Sequence, residues 1–469
     1  MKIRRDQVED ILGLSPIQTG ILYEYLLSKD KELYVAQISL HLVGTIDIGK
    51  LKTACQIAAG QNEMLRCVYR WENMQQPVQI ILKEHEIPFT YMSAYDIENG
   101  RYSLKELKAK ERKENIDIEK HPVTVNLYEC PDKGLDFVLT WHHIVYDGWS
   151  NLLFLREIFS NYDHLAEAVP VDRIKKARYK EFIIWNKENE CKQEKLWEEY
   201  FQDYTYQEYS LCNLNQEQGA EGEPGRCFID FDESTCQKMK HYLYEKNMTA
   251  ADFFYSVWSL LLYKYTGVSD FAIGVTTSGR TTEIENVNQT IGLFIHTLPL
   301  RIQIQDELKY TSLVQAVSES KRKLLGMEAG NLRKIKEYIG LGAQANLFST
   351  LVVVENYPVE LGKWLDAASK TEFHIESYDW IERNNYELVL GLLPPDSTRL
   401  LIQYAPSRYS EEYIDRMGTY LVQIVEEILS EPDISIKSIS KYTLREQEKM
   451  ATESENLETG LNFDIESFI

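Results

Sequence analysis

Short runs with a two-residue apolar period alternate with longer runs whose apolar positions recur every three or four residues, and the exchange continues along most of the chain. A chain patterned this way must pack helices against sheets, which makes it a mixed α/β protein. The spacing predicts helices from Ile17 to Leu27, Leu51 to Ala59, Leu104 to Glu114, Leu152 to Phe159, Ala250 to Tyr265 and Tyr409 to Leu429. Between them it predicts strands at 34–43, 77–82, 137–141, 227–231, 271–276, 297–304, 349–354, 386–392 and 400–404. There is no fixed-period repeat and no low-complexity tract.

The alternation breaks around Glu167 to Lys180, where Ala-Val-Pro meets the basic group Arg173-Ile174-Lys175-Lys176. That break divides the chain into two α/β lobes, 13–175 and 176–445. The stretch from Asn213 to Arg226 reads as a surface loop, and the polar residues 446–469 as a linker or tail. With 469 residues and 44% hydrophobic content, each lobe can bury a core without staples. The charge balance is 51 − 73 = −22, which argues against a nucleic-acid surface and against attraction to anionic lipid. No run of about 18 apolar residues is present to span a bilayer. The seven cysteines are never spaced C-x-x-C, which fits free thiols of a cytoplasmic protein better than disulfides or a zinc site.

The densest chemistry lies in Trp141-His142-His143-Ile144-Val145-Tyr146-Asp147-Gly148-Trp149-Ser150. It follows a β-run and precedes a helical one. Side chains of a strand alternate, so His142 and His143 should face opposite ways and only one can face a given cavity. With nine histidines in the chain, a His pair followed at fixed offsets by Asp and Gly arises by chance on the order of one time in a thousand. The residues alone also fit a buried His pair satisfied by backbone groups beside a turn aspartate. No Gly-rich phosphate loop follows a strand, and the other histidines, His41 among them, show no metal-ligand spacing.

His142-His143-x-x-x-Asp147-Gly148 resembles the signature of the condensation domains of nonribosomal peptide synthetases, in the chloramphenicol-acetyltransferase-like superfamily. Leu14-Ser15-Pro16-Ile17-Gln18-Thr19-Gly20 is similar to that family's opening element, and Asn62-Glu63-Met64-Leu65-Arg66 to its second motif. Thr276-Thr277-Ser278-Gly279-Arg280, Ile291 to Arg301, and Val354-Glu355-Asn356-Tyr357-Pro358 follow in family order. The opening element looks more like the subtype that takes a donor with a D-configured C-terminal residue. Two positions depart from the family pattern: Gln61 stands where Arg is usual, and His296 where Asn is usual.

The resemblance implies two chloramphenicol-acetyltransferase-like lobes forming a V-shaped pseudo-dimer with a central channel. It implies peptide-bond formation between a donor thioester and the amine of an acceptor aminoacyl thioester. Both would be carried on phosphopantetheine arms of upstream and downstream carrier proteins, with no cofactor or metal bound by the domain itself. His143 is then the catalytic histidine, as a base or by positioning the amine, and the Gly148 N–H is an oxyanion donor. Asp147 would pair with Arg280 to hold the loop, with His142 as a further structural residue. Trp149, Ser150, His296, Asn385 and Tyr386 would line the channel, although Asn385-Tyr386 reads equally as an ordinary strand start.

A superfamily epimerase shares the His-His motif, and a non-catalytic recruitment domain is a further alternative. Tyr442 to Lys449 resembles the linker into an adenylation domain. Residues 1–12 resemble a docking segment with Val8 and Ile11 on one helical face, or else simply lead into the first helix.

Overall fold

The computed structural model describes residues 3–440 except 29, 172, 210, 212–222, 282, 331, 343–344, 355–372 and 393–398. The first half contributes strands β1 (Val8–Gly13), β2 (Val35–Gly44), β3 (Cys67–Arg70), β4 (Val78–Leu82), β5 (Phe89–Met92), β6 (Val123–Glu129) and β7 (Leu135–His142). Its helices are α1 (Pro16–Leu27), α2 (Ile48–Gln61), α3 (Ala94–Gly100), α4 (Leu104–Glu114) and α5 (Gly148–Ala166). Helix α6 (Tyr179–Tyr200) leads into the second half, with β8 (Gly225–Asp230), α7 (Glu233–Glu245), α8 (Ala250–Thr266), β9 (Asp270–Thr277), β10 (His296–Gln303) and α9 (Tyr310–Leu324). Then come α10 (Leu332–Tyr338), β11 (Thr350–Val354), β12 (Phe373–Glu382), β13 (Leu388–Leu392), β14 (Arg399–Tyr404) and α11 (Glu411–Ser430).

Three sheets result, ordered β1-β4-β3, β12-β2-β7-β6-β5 and β10-β9-β11-β13-β14-β8. The second sheet corrects the expected division at 175/176. Strand β12, from the second half, lies antiparallel to β2 with Tyr378 opposite Leu40 and Glu382 opposite Ala36. The cores agree with the sheets. Phe182, Phe294 and Phe373 belong to the first core, while Trp197 and Phe201 belong to the second. The change from one core to the other therefore falls inside α6, and the 284–294 loop and β12 return to the first.

The N-terminus also differs from expectation. Residues 8–13 form a strand, not a helix, with Ile11 opposite Ile80 and Leu12 opposite Gln79 on β4. Positions three apart share a helix face but fall on opposite sides of a strand. Val8 packs with Val68, Ile80 and Leu82, while Ile11 is 56% exposed. The helical docking face is thus not formed. The element 355–358 and the tail 446–469 lie outside the described residues. No helix among those described is long and apolar enough to cross a membrane.

Local rules explain how the opening motif starts α1. Ser15 caps the helix, Pro16 occupies its first turn, and Gln18 completes a capping box with Ser15. Gln18 is also fully buried, and it has a second task at the site.

Candidate active site

Strand β7 ends at His142, so the two histidines leave the sheet in different surroundings. His142 is fully buried; its Nδ1 accepts the Ile144 N–H at 3.2 Å, and Tyr25 meets its ring edge-on at 5.1 Å. Burial, aided by the charge of His143, pushes its pKa down to about 3, so it serves as a neutral packing ring. The backbone of His143 is fixed by donation to the Tyr34 carbonyl at 2.8 Å. The Ile144 carbonyl beside it accepts from Gln18 Nε2 and from Tyr69 Oη, each at 2.9 Å. The opening motif therefore braces the histidine pair directly.

The His143 side chain is 13% exposed, with Nε2 3.1 Å from Glu382 Oε1. The two side chains form an ion pair at this distance. Burial opposes charge on the ring, but Glu382, the Tyr146 backbone and Asp147 outweigh it and raise its pKa above the ordinary value. Burial likewise pushes the Glu382 carboxyl up, and His143 more than reverses that.

Asp147 caps α5, accepting the Ser150 N–H on Oδ1 at 2.9 Å. The same oxygen lies 3.1 Å from Arg280 NH2, and both side chains are almost wholly buried. Oδ2 takes the Phe294 and Ile295 N–H groups at 3.0 and 3.3 Å. The two terminal nitrogens of Arg280 also donate to the Val287 and Thr290 carbonyls and to Ser150 Oγ. Phe294 lies against its guanidinium at 4.5 Å. Burial draws the Arg280 pKa down despite the Asp147 charge. With every oxygen of Asp147 engaged, the pair fastens the loop to α5 and is not available for proton transfer.

Gly148 is the first residue of α5, and helix geometry leaves the N–H groups of a first turn without helical acceptors. Gly148 and Trp149 line a cavity of about 330 Å³ that also touches Thr277, Ser278, Lys321 and Glu328. An anionic oxygen entering there would meet the positive end of the helix. A second cavity, of about 390 Å³, is lined by Glu382 together with Gln37, Lys108, Arg112, Arg226 and Asp379.

The remaining expected lining residues fall elsewhere. Ser150 is buried and donates to the Gly292 carbonyl at 2.8 Å. His296 is buried at the start of β10, 5.8 Å from the Phe182 ring and 3.4 Å from Asn186 Oδ1, and lines neither cavity. Asn385 is exposed in the turn before β13, while Tyr386 stacks on Phe348 at 5.7 Å. Gln61 closes α2. Sequence reading missed Glu382, Gln18 and Tyr69 as individual site residues. Gln18 carried a signal, as the acceptor of a capping box; Glu382 carried none beyond its acidity.

Outside this region, His41, Cys130 and Asp136 bring ligand-type atoms within 4.8 Å of one another. His41 Nδ1 lies 2.8 Å from Asp136 Oδ1, and Lys108 Nζ takes the second oxygen at 2.7 Å. Protein cations complete this cluster as an ion-pair network.

The family model described as Condensation domain matches residues 8–451, and the chain belongs to that family of nonribosomal peptide synthetase domains. Gramicidin S synthase 2 of Brevibacillus brevis is 27% identical over 461 residues, which cover 96% of this chain and 10% of that protein. Surfactin synthase subunit 3 of Bacillus subtilis (strain 168) is 24% identical over 452 residues, 96% of this chain and 35% of its own. The chain thus spans about a tenth to about a third of these relatives.

Among solved structures, the first condensation domain of the calcium-dependent antibiotic synthetase, in complex with a substrate analogue, has a TM-score of 0.75 at 16% identity, covering 92% of this chain and 99% of that one. A four-domain nonribosomal peptide synthetase bound to AMP and glycine has a TM-score of 0.76 at 16% identity, covering 93% of this chain and 34% of that one. The architecture is the chloramphenicol-acetyltransferase-like fold.

Proposed function

We propose that the chain joins a donor acyl or peptidyl thioester to the amine of an acceptor aminoacyl thioester, each delivered on the phosphopantetheine arm of a carrier protein. The observation that supports this reading best is the placement of His143. Its backbone is clamped by Tyr34, and the adjoining Ile144 carbonyl by Gln18 and Tyr69, while Nε2 is the ring atom near the only acid in ion-pair reach among the described residues. A backbone held so firmly, with the ring nitrogen facing one acid, favours presenting Nε2 in one direction, as removal of a proton from an attacking amine requires.

The amine attacks the thioester carbonyl, and the oxygen that becomes anionic is stabilised by the N–H of Gly148 at the start of α5. Collapse of the intermediate breaks the C–S bond, and the thiolate leaves with a proton. Asp147 and Arg280 take no part in bond making; they set the position of Gly148. The relatives are multidomain synthetases, which favours carrier proteins on either side and an adenylation domain as a neighbour.

The test supplies both substrates on loaded carrier proteins and measures dipeptidyl-carrier formation by mass spectrometry. The His143→Ala protein should fold and lose about a hundredfold or more in rate. Condensation at the wild-type rate by that variant would remove the catalytic role of His143.

A further inference from the structure

We propose that Glu382 binds the ammonium group of the acceptor, and that in doing so it releases His143 Nε2 for proton transfer. The inference rests on the condensation reading above and adds to it the recognition of one substrate group.

Four observations meet at this residue. Its carboxylate stands 3.1 Å from Nε2, the nitrogen that the reaction needs unoccupied. The contact is an ion pair between side chains, which a second cation arriving at the carboxylate can contest. The Glu382 side chain keeps 39% of its surface and lines the cavity of about 390 Å³, from which a ligand can reach it. Its backbone, by contrast, is fixed: Glu382 lies opposite Ala36 in the sheet, and the next carbonyl, of Arg383, accepts the Tyr34 N–H at 2.8 Å. Tyr34 also accepts the His143 N–H, so one residue sets the spacing of acid and imidazole. Only the side chain of Glu382 has to move.

Of the charged groups around the cavity, most have partners, and Lys105 is a further cation on its wall. Lys108 pairs with Asp136, Arg112 with Glu32 and Glu223, and Arg226 with Asp379. Asp147 faces His143 from α5 but is committed to Arg280. An arriving primary ammonium therefore finds in Glu382 a carboxylate that faces the cavity and shares its charge with one imidazole. A carboxylate–ammonium contact is a charge-assisted hydrogen bond of the same strong kind.

The protons balance. At rest the acid favours the charged form of the imidazole, and that form cannot act as a base. When Glu382 turns to the ammonium, the ring sheds its proton to solvent and Nε2 offers a lone pair. The ammonium then gives one proton to Nε2, the free amine forms the C–N bond, and the thiolate departs as the C–S bond breaks. The amide nitrogen loses its second proton and the thiol gains one. Overall one proton is released per amide formed.

The experiment follows the ring of His143 by NMR in the full chain carrying labelled histidine. The alanyl thioester of N-acetylcysteamine serves as acceptor, and its N-acetylated form, which has no ammonium, as control. Saturation with the alanyl thioester should lower the His143 titration midpoint, and the acetylated control should leave it unmoved. Glu382→Gln should lower the midpoint without ligand and raise KM for the alanyl thioester by about tenfold or more while leaving the donor KM unchanged. A midpoint insensitive to the alanyl thioester in the wild-type chain would overturn the proposal, as would equal changes in both KM values. Because the titration needs no turnover, it separates failure of Glu382 from failure of the condensation reading, which is scored by His143→Ala activity.

Discussion

Asp147 and Arg280 lie 133 residues apart in sequence and 3.1 Å apart in the fold, each almost sealed from water. Breaking a buried pair leaves an uncompensated charge, which costs about 3–5 kcal/mol. Arg280→Ala should approach that range in denaturant unfolding and reduce condensation together with stability. Asp147→Asn should be milder, because the amide oxygen can still accept from the Phe294 and Ile295 N–H groups. Variants as stable as the parent would show that the pair contributes nothing.

The loop that carries Arg280 depends on Gly279, whose φ is +60°. A Cβ there would collide with the Phe294 carbonyl oxygen and the His296 ring. Gly279→Ala combines left-handed strain with that overlap, for a loss of roughly 2–4 kcal/mol and a displaced Arg280. Urea unfolding measures the loss, and a change below about 1 kcal/mol would mean that the loop relaxes freely.

Histidines that the fold favours in the neutral form make it sensitive to acid. Burial pushes His142 down to about 3, and His296 and His85 down to about 4 each. The unfolded chain protonates such rings near 6.5, and the folded chain resists until far lower pH. Their contribution is therefore complete above that value and declines as pH falls toward 4, by up to ~1.4 kcal/mol per pH unit for each ring. Unfolding free energies at pH 7, 6 and 5 should show the fall. His296→Asn, which installs the residue usual in the family, should make the slope shallower; an unaltered slope would exclude His296 as a contributor.

Strand β1 supports the fold and is not a free arm. Deleting residues 3–13 removes one of the two partners of β4 and uncovers Ile80 and Leu82, at a cost of at least ~2 kcal/mol. Transfer should then drop equally for a carrier-bound donor and for a small soluble thioester. Selective loss with the carrier-bound donor alone would restore the docking reading.

The sequence made the site legible where chemistry and chain order coincide. His142, His143, Asp147 and Gly148 lie within seven residues, and the strand-to-helix change around them is visible in the apolar spacing. Arg280 was within reach only because its loop resembles a family element. Glu382 was out of reach because its strand was. The 373–382 segment carries a bulge between Ile375 and Ser377, which breaks its alternation, and most of its central side chains face solvent. Helix α6 escaped notice for a related reason: a run dense in Lys and Glu hides a narrow stripe of Phe182, Asn186, Gln193 and Trp197. The lobe boundary is not legible in the sequence because β12 crosses it to pair with β2, so neighbours in space are distant in the chain.

That strand also carries a consequence for how such domains are made and recombined. The β12 edge of the first-half sheet arrives only after some two hundred residues of the second half, so emergence of residue 175 from a ribosome does not complete the first half. Its closure waits on a long-range contact, which slows folding and holds a bare edge of β2 open to wrong partners in the interval. A chimera joined at 175 would take β2 from one parent and its neighbour from another, placing the acid opposite His143 under foreign control. Exchange of halves between relatives should move 373–382 together with the N-terminal portion.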